Sequence, residues 1–287
     1  MKIGVTIPNG IPTVDGPTLV EWGRRAEACG FDIVSSIDRV AYPSHEQLVT
    51  LAAIASATER IRLMTTTLLA PTRDPALLAK QAATLDRLSR GRLVLGLSVG
   101  MRPDDFAVTG TQVAGRGKRF DAMLETMHAL WRGDPGAEGS RPVCPPPTNG
   151  RVPLYFGGMT AQPRILRRIA RWGDGFVAVG APQTVAPMVQ AIRTAWAEEG
   201  RDGDGPVLLS ASYFSLGTDD ESERNIHDYY DNFFPALGQA AAAAMPRTPD
   251  AIRRVLKVYE DAGYDEFLFA AAAADPEQVD RLAEALS

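Results

Sequence analysis

Eight times along the chain a short β-rich run gives way to a longer run of helical periodicity, and no other feature of the sequence constrains the fold as much. The strand-like runs are "KIGVTIP", "DIVSSI", "IRLMTTTLL", "RLVLGLSVG", "VPLYFG", "GFVAVG", "VLLSASYFSLG" and "EFLFAA". Helical stretches with ordinary start and stop signals separate them. "PTLVEWGRRAEACGF" begins at Pro17 and stops at Gly30, and "DPALLAKQAATLDRLS" opens on Asp74 as N-cap with Pro75 at the first helical position. Eight strands, each followed by helical material, predict an α/β protein built as a single (β/α)8 TIM barrel. A doubly wound open sheet would want a GxGxxG after the first strand, and "IPNGIPTVDGPT" does not provide one. The 287 residues suit one such domain over 1–287. Two stretches break the pattern and are expected to be irregular excursions at the barrel mouth. One is the Gly- and Pro-rich segment at about 133–151, and the other, at about 219–246, contains "DYYDNFF" and "GQAAAAAM".

Composition narrows the class of function. Hydrophobic residues make up 45% and charged residues 23%, as in soluble globular proteins. The net charge of −5 arises from 30 basic and 35 acidic residues spread along the chain, without the clustered basic stripe that a nucleic-acid partner requires. No apolar run approaches the roughly 18 residues of a membrane span, and "MKIGVTIP" has no signal-peptide layout, so a cytoplasmic address is expected. Cys29 and Cys144 form no CxxC pair, and His45, His128 and His227 lack ligand spacing, so no metal site is expected.

In a barrel of this kind the chemistry sits at the C-terminal strand ends. Those ends are Pro8 and Asn9, Asp38 and Arg39, Thr65 to Thr67, Gly100 with Met101 and Arg102, Gly157 to Thr160, Gly180, and Tyr213 to Ser215. The second is unusual: "IVSSIDR" starts as a core strand and finishes on a carboxylate and a guanidinium. "GGMT", just before a helix, offers close backbone approach, free N–H groups and a hydroxyl to a phosphate.

Two longer blocks carry a resemblance. "EQLVTLAAIASATERIRLMTTTLLAPTRDPALLAKQAATLDRLSRGRLVLGLSVGMRPDDF" and, further on, "VPLYFGGMTAQPRILRRIARWGDGFVAVG" resemble the two signature regions of the bacterial luciferase-like family of flavin- and deazaflavin-dependent oxidoreductases. With the matching ends, the resemblance spans nearly the whole chain. It implies a cofactor, coenzyme F420 by preference or FMN, held in the barrel mouth. It also implies a bulge with a non-proline cis peptide at the end of the third strand, matching Thr66 and Thr67, against which the ring leans. Gly157, Gly158, Met159 and Thr160 match the phosphate contact, and Gly100 and Met101 the turn beside the ring edge. Arg102 reaches the ring's polar side or a cofactor tail, or else pairs with Asp104 or Asp105.

The resemblance also exposes two departures. Deazaflavin-dependent dehydrogenases of the family commonly place Asp-His where this chain has Asp38-Arg39, and some have a glutamate donor at the position of Met101. Neither replacement exchanges a proton near neutral pH. Arg39 remains a candidate for holding an anionic or carbonyl-bearing substrate or for stabilising developing negative charge, and its bland alternative is a salt bridge to Asp38 or a solvated loop. Asp38 and His45 complete the candidate catalytic set, with Tyr42 and Tyr213 as further proton donors. The leading expectation is hydride transfer between reduced coenzyme F420 and a small organic substrate. The alternatives are an FMN monooxygenase that uses O2 and a separate flavin reductase, and a redox-inactive small-molecule binder. A homodimer is implied by the resemblance alone. An aldolase or phosphosugar isomerase would want a barrel lysine or paired carboxylates at strand ends, and none is apparent.

Overall fold

The computed structural model describes residues 1–230 and 232–287. In chain order the elements are β1 (Lys2–Thr6), α1 (Gly16–Ala28), β2 (Ile33–Ser36), α2 (Gln47–Ala57), β3 (Arg62–Thr65), β4 (Leu68–Leu69), α3 (Pro75–Leu88), β5 (Leu93–Ser98), α4 (Pro103–Val108), α5 (Arg116–Trp131), β6 (Leu154–Gly158) and α6 (Pro163–Trp172). There follow β7 (Gly175–Ala178), α7 (Pro182–Glu198), β8 (Val207–Phe214), α8 (Asp219–Tyr230), α9 (Pro235–Ala244), α10 (Pro249–Asp261), β9 (Glu266–Ala271) and α11 (Glu277–Leu286). Every strand pairing is parallel, β1 lies between β2 and β9, and β3 also pairs with β5, which closes the sheet into the expected (β/α)8 barrel.

The third barrel strand comes in two pieces, β3 and β4, on either side of a cis Thr66–Thr67 peptide. From the Met64–Val94 pair to the Leu68–Leu97 pair it takes four residues where β5 takes three, so one extra residue is bulged out there.

Side chains alternate in and out along each strand, and the inward set is layered. Ile33, Met64, Val94, Tyr155, Val177, Leu209 and Leu268 form one interior apolar layer, drawn from seven of the eight barrel strands. β1 contributes Gly4 instead, where a Cβ would stand 2.6 Å from Ile33 Cβ and 2.7 Å from Leu268 Cδ2. Below this plug Arg62 pairs with the buried Glu266 at 2.7 Å. Outside the strands a larger core under the helices includes Val5, Val34, Leu63, Leu95, Phe156, Phe176 and Phe267.

The helices start where their caps say they should. Asp15 accepts the Thr18 N–H at 2.9 Å and Asp74 the Leu77 N–H at 2.8 Å. Of the two expected excursions, 133–151 holds no helix or strand beyond an isolated Pro135–Pro142 bridge. The other is corrected: 219–246 is not irregular but forms α8 and α9. Their signals are chemical rather than periodic, with Asp219, Asp220 and Glu221 in the first turn of α8 and an alanine run in α9. The segment closes on itself, because the Ser215 N–H donates to the Pro246 carbonyl at 3.1 Å. Asp231, inside the aromatic run expected here, lies outside the described residues.

Candidate active site

Above the apolar plug most inward positions become small or hydroxylic, namely Thr6, Ser35, Thr66, Gly96, Gly157, Ala211 and Ala270, with the exposed Val179 after β7 the exception. Ala211 sits mid-strand in β8 and is nevertheless exposed, so the barrel mouth is an open bowl down to this level. Thr6 and Ser35 hydroxyls lie 2.6 Å apart, and the Thr66 hydroxyl donates to Ser35 Oγ at 3.2 Å, giving the floor a chain of hydroxyls. A Cβ on Gly157 would meet Thr67 Cγ2 at 3.2 Å and Ser98 Cβ at 3.7 Å, so any side chain there would fill the space beside the bulge.

Asp38 is buried and fully engaged. Its carboxylate receives Arg73 in a two-pronged pair, 2.7 and 3.0 Å, and the Leu69 N–H at 2.8 Å. It thereby ties the end of β2 to the segment that follows the bulge, while the Thr66 N–H donates to the Ser36 carbonyl at 2.8 Å. Arg39 therefore neither pairs with Asp38 nor sits in a solvated loop, the two bland alternatives for it. Arg39, its side chain 5% exposed, bonds to Asp104 at 2.9 Å and Asp105 at 3.2 Å. Asp105 also accepts the N–H groups of Val40 and Ala41, both at 2.8 Å, and so fixes the loop after β2. The exchange has a simple cause: α4, unforeseen in the sequence, starts at Pro103 and presents both acids to this loop.

Arg102 is correspondingly free of those acids. Its guanidinium lies 4.7 Å from the Tyr229 ring centroid, 5.6 Å from Tyr230 and 5.5 Å from Phe234, and it donates to the Tyr229 carbonyl at 3.2 Å. Arg39 faces the other side of the same aromatic group, 5.1 Å from Tyr42 and 5.8 Å from Tyr229. The two arginines thus clasp α8 onto the mouth through its aromatic run. Tyr229 also lines a small cavity of about 30 Å³ with Thr6, Ile7, Ile37, Tyr213 and Ile226. Burial pushes the Tyr229 phenol up to about 12 and holds that of Tyr213 well above its ordinary value, so both keep their protons. Tyr229 accepts a long 3.5 Å bond from Arg102, which leaves its own proton to donate.

Other sequence candidates lie further out. His45 is exposed, with Nε2 2.9 Å from the Val14 carbonyl. Gly100 has φ +74, a left-handed conformation that suits glycine, and Met101 is 47% exposed beside it. Gly157 and Gly158 end β6, but Thr160 does not start the next helix: α6 begins at Pro163, after the exposed loop residues Met159 to Gln162. Arg73 and Tyr229 were not singled out by sequence reasoning, and Asp105 entered it only as a possible partner of Arg102. Arg73 stood inside a signature block and Tyr229 inside the aromatic run, but their partners are distant in sequence. Among the described residues no group of three or more His, Cys, Asp or Glu gathers as metal ligands, and no helix is long and apolar enough to cross a membrane.

Comparison with known proteins agrees with this geometry. The family profile described as luciferase-like monooxygenase matches residues 1–285. An uncharacterized protein of Mycobacterium tuberculosis, Rv0953c, is 32% identical over 162 residues, which cover 54% of this chain and 57% of the relative. The chain thus spans little more than half the length of that relative. Among solved structures, an F420-dependent secondary alcohol dehydrogenase in complex with an F420-acetone adduct superposes with a TM-score of 0.80 at 19% identity, over 99% of this chain and 97% of that one. The monooxygenase RslO1 from Streptomyces bottropensis superposes with a TM-score of 0.78 at 20% identity, over 100% and 97%. At these identities the two structures establish a shared fold.

Proposed function

The chain belongs to the luciferase-like monooxygenase family, and from that premise we propose an oxidoreductase that holds coenzyme F420 in the mouth bowl and acts on a small organic substrate. The observation that carries this reading is the bowl floor, where an apolar plug is topped by hydroxyl, glycine and alanine positions beside the Thr66–Thr67 bulge. A flat ring fits such a floor, and a side chain at Gly157 would take its place. When bound, the coenzyme supplies hydride chemistry that the protein's own side chains lack.

The chain's own contribution is position, charge and a proton. Thr66 and Thr67 would back the ring, Gly100 and Met101 would border its edge, and the loop from Gly158 to Thr160, ahead of α6, would hold the phosphate. Asp38 is a positioning residue that holds the bulged segment through Leu69 and Arg73. Arg102, which no carboxylate pairs among the described residues, supplies fixed positive charge behind the aromatic wall and favours negative charge developing on a substrate oxygen, while Arg39, neutralised by Asp104 and Asp105, holds that wall in place. Tyr229 gives that oxygen its proton, a role for which sequence reasoning had offered His45, Tyr42 or Tyr213. The cavity walls of Ile7, Ile37 and Ile226 favour a small, mainly apolar substrate.

A second reading, FMN with oxygen chemistry and a separate reductase, draws support from the same departures, Arg39 and Met101. Titrating the protein with F420 and with FMN by fluorescence quenching separates them. Tight F420 binding followed by turnover of carbonyl, imine or enone acceptors is expected, and tight FMN binding without any F420 binding would overturn the proposal. Binding of small molecules without either cofactor would leave the redox-inactive reading.

A further inference from the structure

α6 reads "PRILRRIARW", with four arginines and no acid. At about 100° per residue Arg164, Arg167, Arg168 and Arg171 share an arc about 100° wide, so folding makes a basic stripe that the chain-wide charge count conceals. α5 runs beside it in the same direction and answers part of the stripe. Asp121 takes Arg168 at 2.7 Å, and Glu125 lies 3.8 Å from Arg171. One turn earlier, where the next acid of this ladder would stand, α5 has Gly117, whose carbonyl accepts a second bond from Arg168 at 3.1 Å. Lys118 is its neighbour. The rung nearest the mouth therefore has cations and no anion: Arg164, Arg167 and Lys118 are exposed and make no ion pair among the described residues.

That rung adjoins the bowl on both sides. α6 follows the exposed loop after Gly157 and Gly158, and the start of α5 is fastened to the bowl rim by Arg116, which donates to the Gly100 carbonyl at 3.1 Å. An anion leaving the bowl past Thr160 meets Arg164 first and Arg167 one turn on. Resting on the cofactor reading above, we infer that the open rung of the α5–α6 ladder binds an anionic extension of the cofactor beyond its first phosphate, of the kind the carboxylate-bearing tail of coenzyme F420 provides and FMN, which ends at its phosphate, does not.

The test compares F420 and FMN binding by fluorescence quenching, at low and high salt, for the wild type, the double variant Arg164→Gln/Arg167→Gln and the control Arg171→Gln, whose partner Glu125 is already present. The double variant is expected to bind F420 about tenfold more weakly and with a flatter salt dependence. FMN affinity should change by less than about twofold in the same variant, and the control should match the wild type for both. Equal weakening toward both cofactors, or unchanged F420 affinity, would overturn the inference while leaving the cofactor reading intact. A wild-type protein that binds no F420 would remove both. Matching circular dichroism and urea midpoints across the variants exclude a folding defect as the cause.

Discussion

Two sides of one barrel mouth both end in arginine, and folding treats them in opposite ways. On the side built by β2, α4 and α8, Arg39, Arg73 and Arg102 are each supplied with partners from distant sequence: Asp104 and Asp105, Asp38, and the aromatic run of α8. On the side built by β6 and α6, Arg164 and Arg167 stand exposed beside a loop of exposed residues. A charged strand end is therefore no sign of function in itself. On the first side the charges organise the wall; on the second they are left over for something that is not part of the chain.

The comparison breaks most visibly if a partner is removed on the engaged side. Asp105→Ala strips a carboxylate that is 1% exposed and leaves Arg39 buried beside Asp104 alone. A loss of about 3–5 kcal/mol is expected in urea unfolding. Next in size, Tyr229→Phe should lower turnover by about 100-fold with F420 affinity nearly unchanged, because the proton is lost together with only one long bond from Arg102 while the ring stays. An unaffected rate would return the donor role to Tyr213 or His45. Further from both sides, His128 is half-buried, stacked on Trp172 with centroids 4.5 Å apart, and lowered to about 4, chiefly by burial and then by Arg151 and Arg132. Below its ordinary value near 6.5 the unfolded chain takes up a proton that the folded chain refuses. This group's stability is thus complete above about pH 6.5 and lost on descending to about pH 4. His128→Phe should remove that part of the acid sag in the urea midpoint, after which acid effects at the mouth can be read alone. The smallest effect belongs to the open side: Arg164→Gln should change stability by less than about 0.5 kcal/mol, since no partner is lost.

Much of this barrel was legible in the sequence because its signals are local. The Asp74–Pro75 start, the Gly30 stop and the alternation of strand and helix need only neighbouring residues, and the family's two signature blocks led to Thr66 and Thr67 before the cis bond was seen. What stayed hidden was pairing. Whether Asp104 and Asp105 belong to Arg102 or to Arg39 depends on a six-residue helix whose only marks were a proline and two acids. α8 and α9 escaped because an acidic first turn and an alanine run lack the apolar periodicity that identifies a helix packed on a sheet. The arginine stripe was in plain view as "PRILRRIARW", but its open rung appears only when α5 is laid alongside.

The bond between the Ser215 N–H and the Pro246 carbonyl has an evolutionary consequence. The α8–α9 hairpin leaves and rejoins the barrel at one point, so exchanging it would disturb no strand register. It nonetheless provides Tyr229 and Ile226 to the cavity wall. A lineage can therefore replace this single cassette and reshape that wall, while the barrel floor is inherited whole.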